Sequence, residues 1–444
     1  MFFTLSVIAF SFSIAQNNEV ASDSSRKDAI KLYVDCRSCD MDYMREQMPY
    51  ANFMRNVQDA QVYLLVTQQS TGSGGRNYTM FFSGNKEFEG MEDTLTYASS
   101  PDDTQDVIRT RLTDKIAMGL MRYVARTPAA NNIKVNYTGR IEQKPQQLED
   151  KWNFWVFSLE TRPRLSIEKS LKQYNWTNSL SANRVTEDWK IELGFNHSYN
   201  MNKFIITYFA ESGPDSGTYQ DFTTEAIRKS WSNDNLIVKS LTDHWSIGLR
   251  TDFSSSTYEN LDLRVAAYPS IEYDIFPYSK SNQKQLRILY GIGYVFQDYI
   301  DTTFYNKTSE NLLQETLDIA FEVQQKWGSA NISFGAANYM HDFEKYHIEL
   351  DGFLRVRLFK GFSLNINGGV ALIHDQIGLP KGDLDSEDVY LRLRELETNF
   401  RYDASIGITY TFGSIYNNIV NPRFGSRRNF NGGGYGGGFP GGGF

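Results

Sequence analysis

The stretch Leu261-Asp-Leu-Arg-Val-Ala-Ala-Tyr-Pro-Ser-Ile-Glu-Tyr-Asp-Ile275 alternates between apolar and polar residues. Its apolar face carries Leu261, Leu263, Val265, Ala267, Ile271, Tyr273 and Ile275, and its polar face carries Asp262, Arg264, Tyr268, Ser270, Glu272 and Asp274. A period of two predicts a β-strand with one apolar and one charged face. Pro269 removes one ladder donor, which counts against full pairing. The length suits a tilted strand that crosses a bilayer.

The same alternation returns through the C-terminal two-thirds of the chain, for example over 189–196, 348–358, 362–372 and 403–412. Twelve strands are predicted, at 152–160, 171–184, 188–202, 222–239, 244–256, 259–276, 283–299, 311–325, 328–340, 345–359, 362–375 and 398–413. Phe204 to Ala210 is also apolar, so a further strand at this segment is the alternative. A soluble β-protein would have to bury a very large aromatic-rich face from such strands. The pattern therefore favours a mainly β chain with a twelve-stranded transmembrane antiparallel β-barrel.

Composition agrees with a barrel and excludes one class of partner. Aromatic residues make up 14 % of the chain, which suits girdles at both membrane interfaces. The mean hydropathy of −0.47 looks soluble, but a polar interior cancels an apolar exterior in such an average. No long apolar run predicts a transmembrane helix. The net charge of −8 argues against nucleic acid, which requires clustered Lys and Arg.

The chain is predicted to divide into six segments. They are a signal peptide (1–15), a disordered stretch (16–28), an α/β domain (29–138), a linker (139–150), the barrel (151–413) and a glycine- and aromatic-rich disordered tail (414–444). Met1 to Ala15 is apolar and ends in small residues, as secretory signals do, although a buried strand is the alternative. A tail of this glycine-rich composition cannot bury enough surface to become ordered.

The α/β domain is predicted from alternating helix and strand patterns. Strands are expected at 31–35, 61–68, 77–83, 93–97 and 132–137, and helices at 41–57 and 103–126. The glycine-rich loop Thr71 to Gly75 joins two strands, which predicts a hairpin. A phosphate loop would instead lead from a strand into a helix.

Connection lengths predict which way the barrel faces. Short connections, such as 185–188 and 360–361, alternate with long ones, such as 202–222 and 375–397. Bacterial barrels have short periplasmic turns and long outer loops. An even strand number leaves both ends of the barrel on one side. We therefore expect the barrel in outer-membrane lipid, with the N-terminal domain and the tail both in the periplasm.

Three stretches resemble a family of outer-membrane proteins from Bacteroidota. They are Asp35-Cys-Arg-Ser-Cys-Asp40, Thr71-Gly-Ser-Gly-Gly-Arg-Asn-Tyr-Thr79 and Ala182-Asn-Arg-Val-Thr-Glu-Asp-Trp-Lys190. The resemblance extends to about residue 413 and excludes the glycine-rich tail. The family pairs a small periplasmic domain with a barrel and has no general activity assigned to it. The resemblance thus implies location and architecture, without a mechanism.

Cys36 and Cys39 are the only cysteines and form a Cys-x-x-Cys motif. An oxidising periplasm predicts a disulfide between them, which would anchor the start of the first helix. The alternative is a thiol–disulfide catalyst, because Cys39 lies just before a predicted helix whose N-terminus would lower its pKa. The flanking residues lack the usual aromatic-Cys-Gly-Pro type of context. Zinc would need further ligands, and no His precedes His197.

The polar faces of the strands predict a charged lumen. Its lining comprises Glu192, Arg250, Asp262, Arg264, Glu272, Asp274, Arg287, Asp318, Glu322, Glu349, Asp351, Arg355, Arg357 and Asp403. Rings of charge select ions in some channels. The alternative is a set of ion pairs that fill and stiffen the interior, which the mixture of signs favours. A twelve-stranded barrel lies between packed small barrels and open porins.

No catalytic residue, metal or cofactor is predicted. A Ser-His-Asp set from the outer loops remains the enzymatic alternative, with His341, His347 and His374 near outer strand ends. No Gly-x-Ser-x-Gly motif occurs. The acidic loop Asp383 to Asp388 resembles a calcium cluster in composition only, since it lacks EF-hand spacing.

Two functions of different classes fit these patterns. The first is a structural or assembly scaffold whose periplasmic domain holds a protein partner. The second is a porin-like diffusion or transport channel, and an outer-membrane hydrolase is the third and weaker candidate. In the tail, Tyr435, Phe439 and Phe444 are either small anchors for a partner or parts of a flexible end.

Overall fold

The computed structural model describes residues 28–72, 74–134, 150–209, 217–382 and 393–414, together with Asn418. The predicted signal peptide and the acidic loop 383–388 lie outside the described residues. So do the predicted disordered stretch, linker and tail, apart from Asp28, Asp150, Ser414 and Asn418. The described chain is mainly β and contains two separate sheets.

The N-terminal sheet has five strands in the order β2-β1-β3-β4-β5. They are β1 (Ile30–Asp35), β2 (Ala51–Phe53), β3 (Val62–Ser70), β4 (Arg76–Gly84) and β5 (Glu92–Ala98). β1 runs parallel to both β2 and β3, whereas the other pairs are antiparallel. The sheet is therefore mixed.

Two α-helices accompany this sheet, α1 (Met41–Gln47) and α2 (Gln105–Val124). Each begins at a capping side chain: Asp40 accepts from the Tyr43 amide, and Thr104 accepts from the Val107 amide. The buried positions of α2 recur at helical spacing and pack on the sheet, at Leu112, Ile116, Gly119, Leu120, Tyr123 and Val124. They form one core with the apolar residues of β1, β3 and β4.

The N-terminal domain departs from prediction at two places. The helix expected over 41–57 ends at Gln47, because Pro49 disfavours helical backbone at Met48 and cannot donate a hydrogen bond. The chain then forms β2 and a 3₁₀ turn, Val57–Asp59. The strand expected over 132–137 is replaced at its start by a 3₁₀ helix, Pro128–Asn132. Residues 135–137 lie outside the described residues. Further 3₁₀ turns occur at Lys86–Phe88 and Tyr278–Lys280.

The second sheet has twelve antiparallel strands, which confirms the predicted number. They are β6 (Trp155–Ile167), β7 (Leu171–Val185), β8 (Trp189–Phe209), β9 (Tyr219–Ser240), β10 (Trp245–Ser256), β11 (Leu261–Asp274), β12 (Lys284–Tyr299), β13 (Ser309–Gln325), β14 (Gly328–Tyr339), β15 (Asp342–Phe359), β16 (Phe362–Ile373) and β17 (Phe400–Tyr410). Each strand pairs with its neighbours in sequence. Phe204–Phe209 continues β8 and is not a separate strand.

The twelve-stranded sheet is not closed into a barrel. Its order runs from β17 to β6, and these two strands are its edges. A closed barrel was expected from the sequence, and the structure corrects that expectation. A ladder between β6 and β17 would join strands that are remote in sequence, so no tight turn sets its register.

The register divides the sheet into two faces. We call the one with Arg264, Asp318 and Glu349 the polar face, and the one with Ile271, Leu350 and Ile406 the apolar face. Large hydrophobic side chains on the apolar face are widely exposed. No helix in the described part of the chain is both long and apolar enough to span a membrane.

The two ends of this sheet also differ. The short-turn end carries the connections 186–188, 241–244, 275–283, 326–327 and 360–361. The opposite end, which we call the long-loop end, carries the connections 300–308 and 374–399 together with the short ones 168–170, 257–260 and 340–341. The loop after β16 reaches back across the long-loop end, where the Glu395 amide donates to the Tyr258 carbonyl at 2.9 Å. Asn260 Nδ2 donates to the Gly378 carbonyl at 2.9 Å. These contacts join β10–β11 to the β16–β17 loop.

Candidate functional site: the junction between the two sheets

The face of the N-terminal sheet that lies opposite α2 rests on the short-turn end of the larger sheet. Asn282 Nδ2 donates to Thr79 Oγ1 at 3.1 Å. Lys326 Nζ donates to Asn85 Oδ1 at 2.8 Å. Lys360 Nζ pairs with Asp59 Oδ1 at 2.8 Å. Three separate turns of the twelve-stranded sheet thus hold the N-terminal domain, and we call this contact the junction.

Asp35 is the centre of the junction. Its Oδ2 accepts a hydrogen bond from Arg357 Nη2 at 2.8 Å and another from the Tyr63 hydroxyl at 2.8 Å. The guanidinium of Arg357 also lies over the Tyr33 ring, 5.4 Å from its centroid. Tyr33 and Tyr63 are stacked with centroids 5.9 Å apart. Arg357 is therefore fixed by a carboxylate and an aromatic face together.

The pair between Asp35 and Arg357 is mostly shielded from water, with side-chain exposures of 20 % and 19 %. A paired charge in such a place gives modest net stability, because desolvation offsets most of the Coulomb attraction. Removing one partner is much more costly, since it leaves the other charge desolvated and unpaired. The pair therefore contributes more to the specificity of docking than to its stability.

The predicted disulfide between Cys36 and Cys39 is confirmed. It follows Asp35 directly and ends one residue before Asp40, the capping residue of α1. Between the cysteines, Arg37 lies 5.9 Å from the centroid of the Phe353 ring, and Arg355 lies 5.6 Å from the same centroid. The disulfide thus holds both the start of α1 and a loop that contacts β15.

Replacing both cysteines with Ser is expected to destabilise the N-terminal domain by about 2 kcal/mol, the loop-closure value for so short a ring. Chemical denaturation of wild type and Cys36→Ser/Cys39→Ser would measure the difference. Ser38→Ala, an exposed change inside the same loop, is the control and should stay within about 0.5 kcal/mol. Full alkylation of both thiols without reductant would contradict the bond.

The tyrosines of the junction have altered acidity. Burial raises the pKa of Tyr63 far above its usual 10.0, and the adjacent Asp35 carboxylate raises it further. Burial also raises the pKa of Tyr33. A raised folded-state pKa contributes stability that is complete below pH 10.0, the unfolded value, and is lost as the pH rises above it.

Tyr63→Phe tests this dependence. The variant should be less stable than wild type by about 1 kcal/mol at pH 8, because it loses one hydrogen bond to Asp35. The difference should shrink as the pH rises above 10.0, because only wild type must also keep the Tyr63 phenol protonated. Urea unfolding at a series of pH values gives both results. A constant difference across that range would contradict the raised pKa.

Thirteen of the fourteen predicted lumen charges have the register of the polar face. Ion pairs form between Arg264 and Asp252, Arg287 and Glu272, Arg401 and Glu349, and Lys190 and Glu192. Arg355 donates to Asn365, and the buried Asp274 accepts from Gln285. Arg250, Asp318, Glu322, Asp351 and Asp403 share the face. Arg357 lies at the junction.

Asp262 differs from this set. The register of β11 against β12 shifts between Leu261 and Leu263, which marks a bulge. Leu261 is buried as a result, whereas Asp262 is exposed. The alternation that predicted Asp262 in the lining does not allow for such a shift.

Sequence reasoning missed a buried cluster on the polar face near the long-loop end. It comprises Ala266, Tyr268, Val295, Leu312, Tyr339 and Ile377. The Tyr268 hydroxyl donates to Gln314 Oε1 at 2.6 Å. A Cβ at Gly293 would lie 2.0 Å from the Tyr268 ring, so only glycine fits there. The sequence signal for this cluster was the alternation of Gly291 and Gly293 with Tyr290 and Tyr294, which leaves room for a large ring on the glycine side of the strand.

His347 and His374 lie near each other where β15 pairs with β16, whereas His197 and His244 lie elsewhere in the sheet. His347 lies between Asp375, 3.3 Å from its Nδ1, and Glu349, 3.7 Å from its Nε2. His374 stacks on Tyr346 with centroids 4.7 Å apart. His244 contacts the Asp274 carbonyl at 2.7 Å. His197 contacts Asn178 at 3.2 Å, and His341 lies against Tyr339.

A cavity of about 540 Å³ lies along β6 to β10. Most of its lining consists of hydroxyl and amide side chains on the polar face: Thr177, Ser179, Asn196, Ser198, Ser230, Ser232, Ser254 and Ser256. Glu160, Arg162 and Glu259 add charge. The polar face thus has a half rich in hydroxyl groups and a half filled with paired charges and tyrosines.

No protein-family model matches this sequence, and comparison with curated proteins gives no match. Within the described ranges, no group of three or more His, Cys, Asp or Glu side chains is arranged to hold a metal ion. At the junction, the paired Asp35 and Arg357 and the ring of Tyr33 provide recognition by charge and aromatic contact.

Proposed function

We propose that this protein is a scaffold of the bacterial outer membrane, in which a β-barrel carries a periplasmic domain that holds a protein partner. The junction carries the proposal. It attaches the N-terminal domain to three turns of the larger sheet and buries the Asp35–Arg357 pair. The exposed side of α2, including Met118 at 62 % exposure, remains available for a partner.

Membrane insertion is supported by the apolar face. Exposed contiguous apolar surface on this scale is unusual for a soluble monomer. Near the short-turn end, the exposed aromatic side chains include Trp189, Trp245, Trp327, Phe359, Tyr410 and Phe412. Near the long-loop end they include Tyr174, Phe209, Tyr219, Phe343 and Phe400. Two such belts on either side of an aliphatic band are typical of membrane barrels.

The sheet is open in the structure, and we propose that its two edge strands pair when the protein inserts into a membrane. An open edge in lipid would leave a row of backbone groups without hydrogen-bond partners. The two edges are compatible, because the apolar residues Phe157 and Leu159 of β6 share their face with Ile406 and Ile408 of β17. An even number of strands also makes β6 and β17 antiparallel.

Cysteine scanning tests closure. Thr161→Cys on β6 would be combined in turn with Cys at Tyr402, Ala404, Ile406 and Ile408 of β17, and oxidised in native membranes. We expect one strong crosslink, with weaker ones two residues away. Ile247→Cys on β10, combined with the same β17 cysteines, is the matched control. β10 already has β9 and β11 as its neighbours, so it cannot pair with β17. Absence of any crosslink above this control would exclude the closed barrel.

A porin-like channel is the second candidate, and the hydroxyl-lined cavity of about 540 Å³ favours it. Planar-bilayer recording of purified protein separates the two functions. A scaffold whose interior charges are paired and whose N-terminal domain is docked at the junction should give no current. Stable ohmic openings would refute the scaffold function and support the channel. The resemblance to the Bacteroidota family supports the proposed location and is neutral between the two.

A further inference from the structure

Asn418 lies at the outer edge of β2, although more than 360 residues separate the two in sequence. Its Oδ1 accepts a hydrogen bond from the Phe53 amide at 2.6 Å. Its Nδ2 donates to Asn52 Oδ1 at 2.9 Å. One carboxamide therefore makes hydrogen bonds to consecutive residues of an edge strand, accepting from the Phe53 backbone amide and donating to the Asn52 side chain.

β2 has a strand on one side only, because it is the last strand of its sheet and pairs with β1. Hydrogen bonds from Ile30 to the Tyr50 carbonyl and from Met54 to the Leu32 carbonyl lie on the β1 side. Backbone groups of successive strand residues point to alternate sides. The Phe53 amide consequently points away from β1, toward the open edge where Asn418 lies.

Asn52 makes the contact selective. Its residue exposure is only 4 %, and its Nδ2 donates to the Ala29 carbonyl at 3.4 Å. Its buried Oδ1 accepts from Asn418. A buried amide oxygen that loses its donor costs about 1–3 kcal/mol. The β2 edge therefore favours an incoming residue that both donates and accepts at this position.

We propose that the open edge of β2 is a strand-addition site whose occupant is the C-terminal segment of this same chain, beginning at Asn418. The sequence continues Ile419-Val420-Asn421-Pro422. β-Branched residues favour extended backbone, and Pro422 limits the added strand to a few residues. Pairing of a peptide with a free sheet edge is an established mode of recognition.

The position of β17 supports this occupant over a separate chain. A Cβ at Gly413, just after β17, would lie 3.9 Å from Arg55 Nη1, so the chain has already returned to the N-terminal domain. The 26 residues that follow Asn418 (444 − 418) would then start at that domain. The tail aromatics Tyr435, Phe439 and Phe444 would then be tethered to that domain. This inference goes beyond the scaffold function and does not depend on membrane insertion.

Hydrogen exchange on the full chain provides the first test. In Asn418→Ala, the Phe53 amide should exchange roughly tenfold faster, since about 1.4 kcal/mol of hydrogen bonding is lost. Asn417→Ala, one residue away, is the matched control and should exchange like wild type. Equal Phe53 exchange in wild type and Asn418→Ala would overturn the proposal.

A cysteine pair provides the second test. Asn52→Cys/Asn418→Cys should form a disulfide on mild oxidation, and the large covalent loop should speed migration on a non-reducing gel. Asn52→Cys/Asn429→Cys is the control, with the second cysteine further along the tail. Only the variant with a cysteine at position 418 should migrate faster. Equal crosslinking of both pairs would show that the tail only samples the edge, and would also overturn the proposal.

Discussion

Arg357→Glu is expected to release the N-terminal domain from the twelve-stranded sheet. The change replaces an ion pair, whose atoms lie 2.8 Å apart, with two facing carboxylates, and it removes the cation over Tyr33. Breaking a fully buried pair costs about 3–5 kcal/mol. Because about a fifth of each side chain is exposed, we expect roughly 2–3 kcal/mol, or a loss of roughly a hundredfold in the docking equilibrium.

Disulfide trapping measures this release. Gln69 Nε2 and Ser281 Oγ lie 3.4 Å apart across the junction, so Gln69→Cys/Ser281→Cys should crosslink in the docked state. Adding Arg357→Glu should abolish the crosslink. Arg164→Glu is the matched control, because Arg164 is exposed and lies on β6, away from the junction. An unchanged crosslink in Arg357→Glu would show that other contacts suffice for docking.

Phe82→Ala should unfold the N-terminal domain while the twelve-stranded sheet persists. Phe82 is 1 % exposed, and its ring occupies the space over Gly119, where a Cβ would lie 2.4 Å away. Truncating a buried Phe costs about 3–5 kcal/mol, a large part of the stability of a small domain. Its loss opens a cavity between α2 and β4 that the helix cannot fill.

Limited proteolysis with mass spectrometry distinguishes the two sheets in this variant. Cleavage sites between residues 30 and 124 should become accessible at low protease concentration, and sites in β6 to β17 should stay protected. Met118→Ala is the control on the same helix, since its side chain is 62 % exposed. Protection of the N-terminal domain in Phe82→Ala would contradict the position of Phe82 in the core.

The number and faces of the long strands followed from the sequence alone, because side-chain direction alternates with a period of two. The presence of α2 and the Cys36–Cys39 bond were equally local and were predicted. Two other predictions from local pattern were wrong. Pro49 shortened the first helix, and the bulge beside Leu261 displaced Asp262 from the charged lining.

The contacts that define the candidate site belong to tertiary structure. Asp35 and Arg357 are more than 300 residues apart, and so are Phe53 and Asn418. Alternation placed Arg357 on a polar face, but it carried no information about a partner on another domain. Such pairings depend on where each sheet ends and how the two sheets dock. The sequence thus determined which faces are polar, apolar or helical, and the tertiary structure decided which of these faces meet.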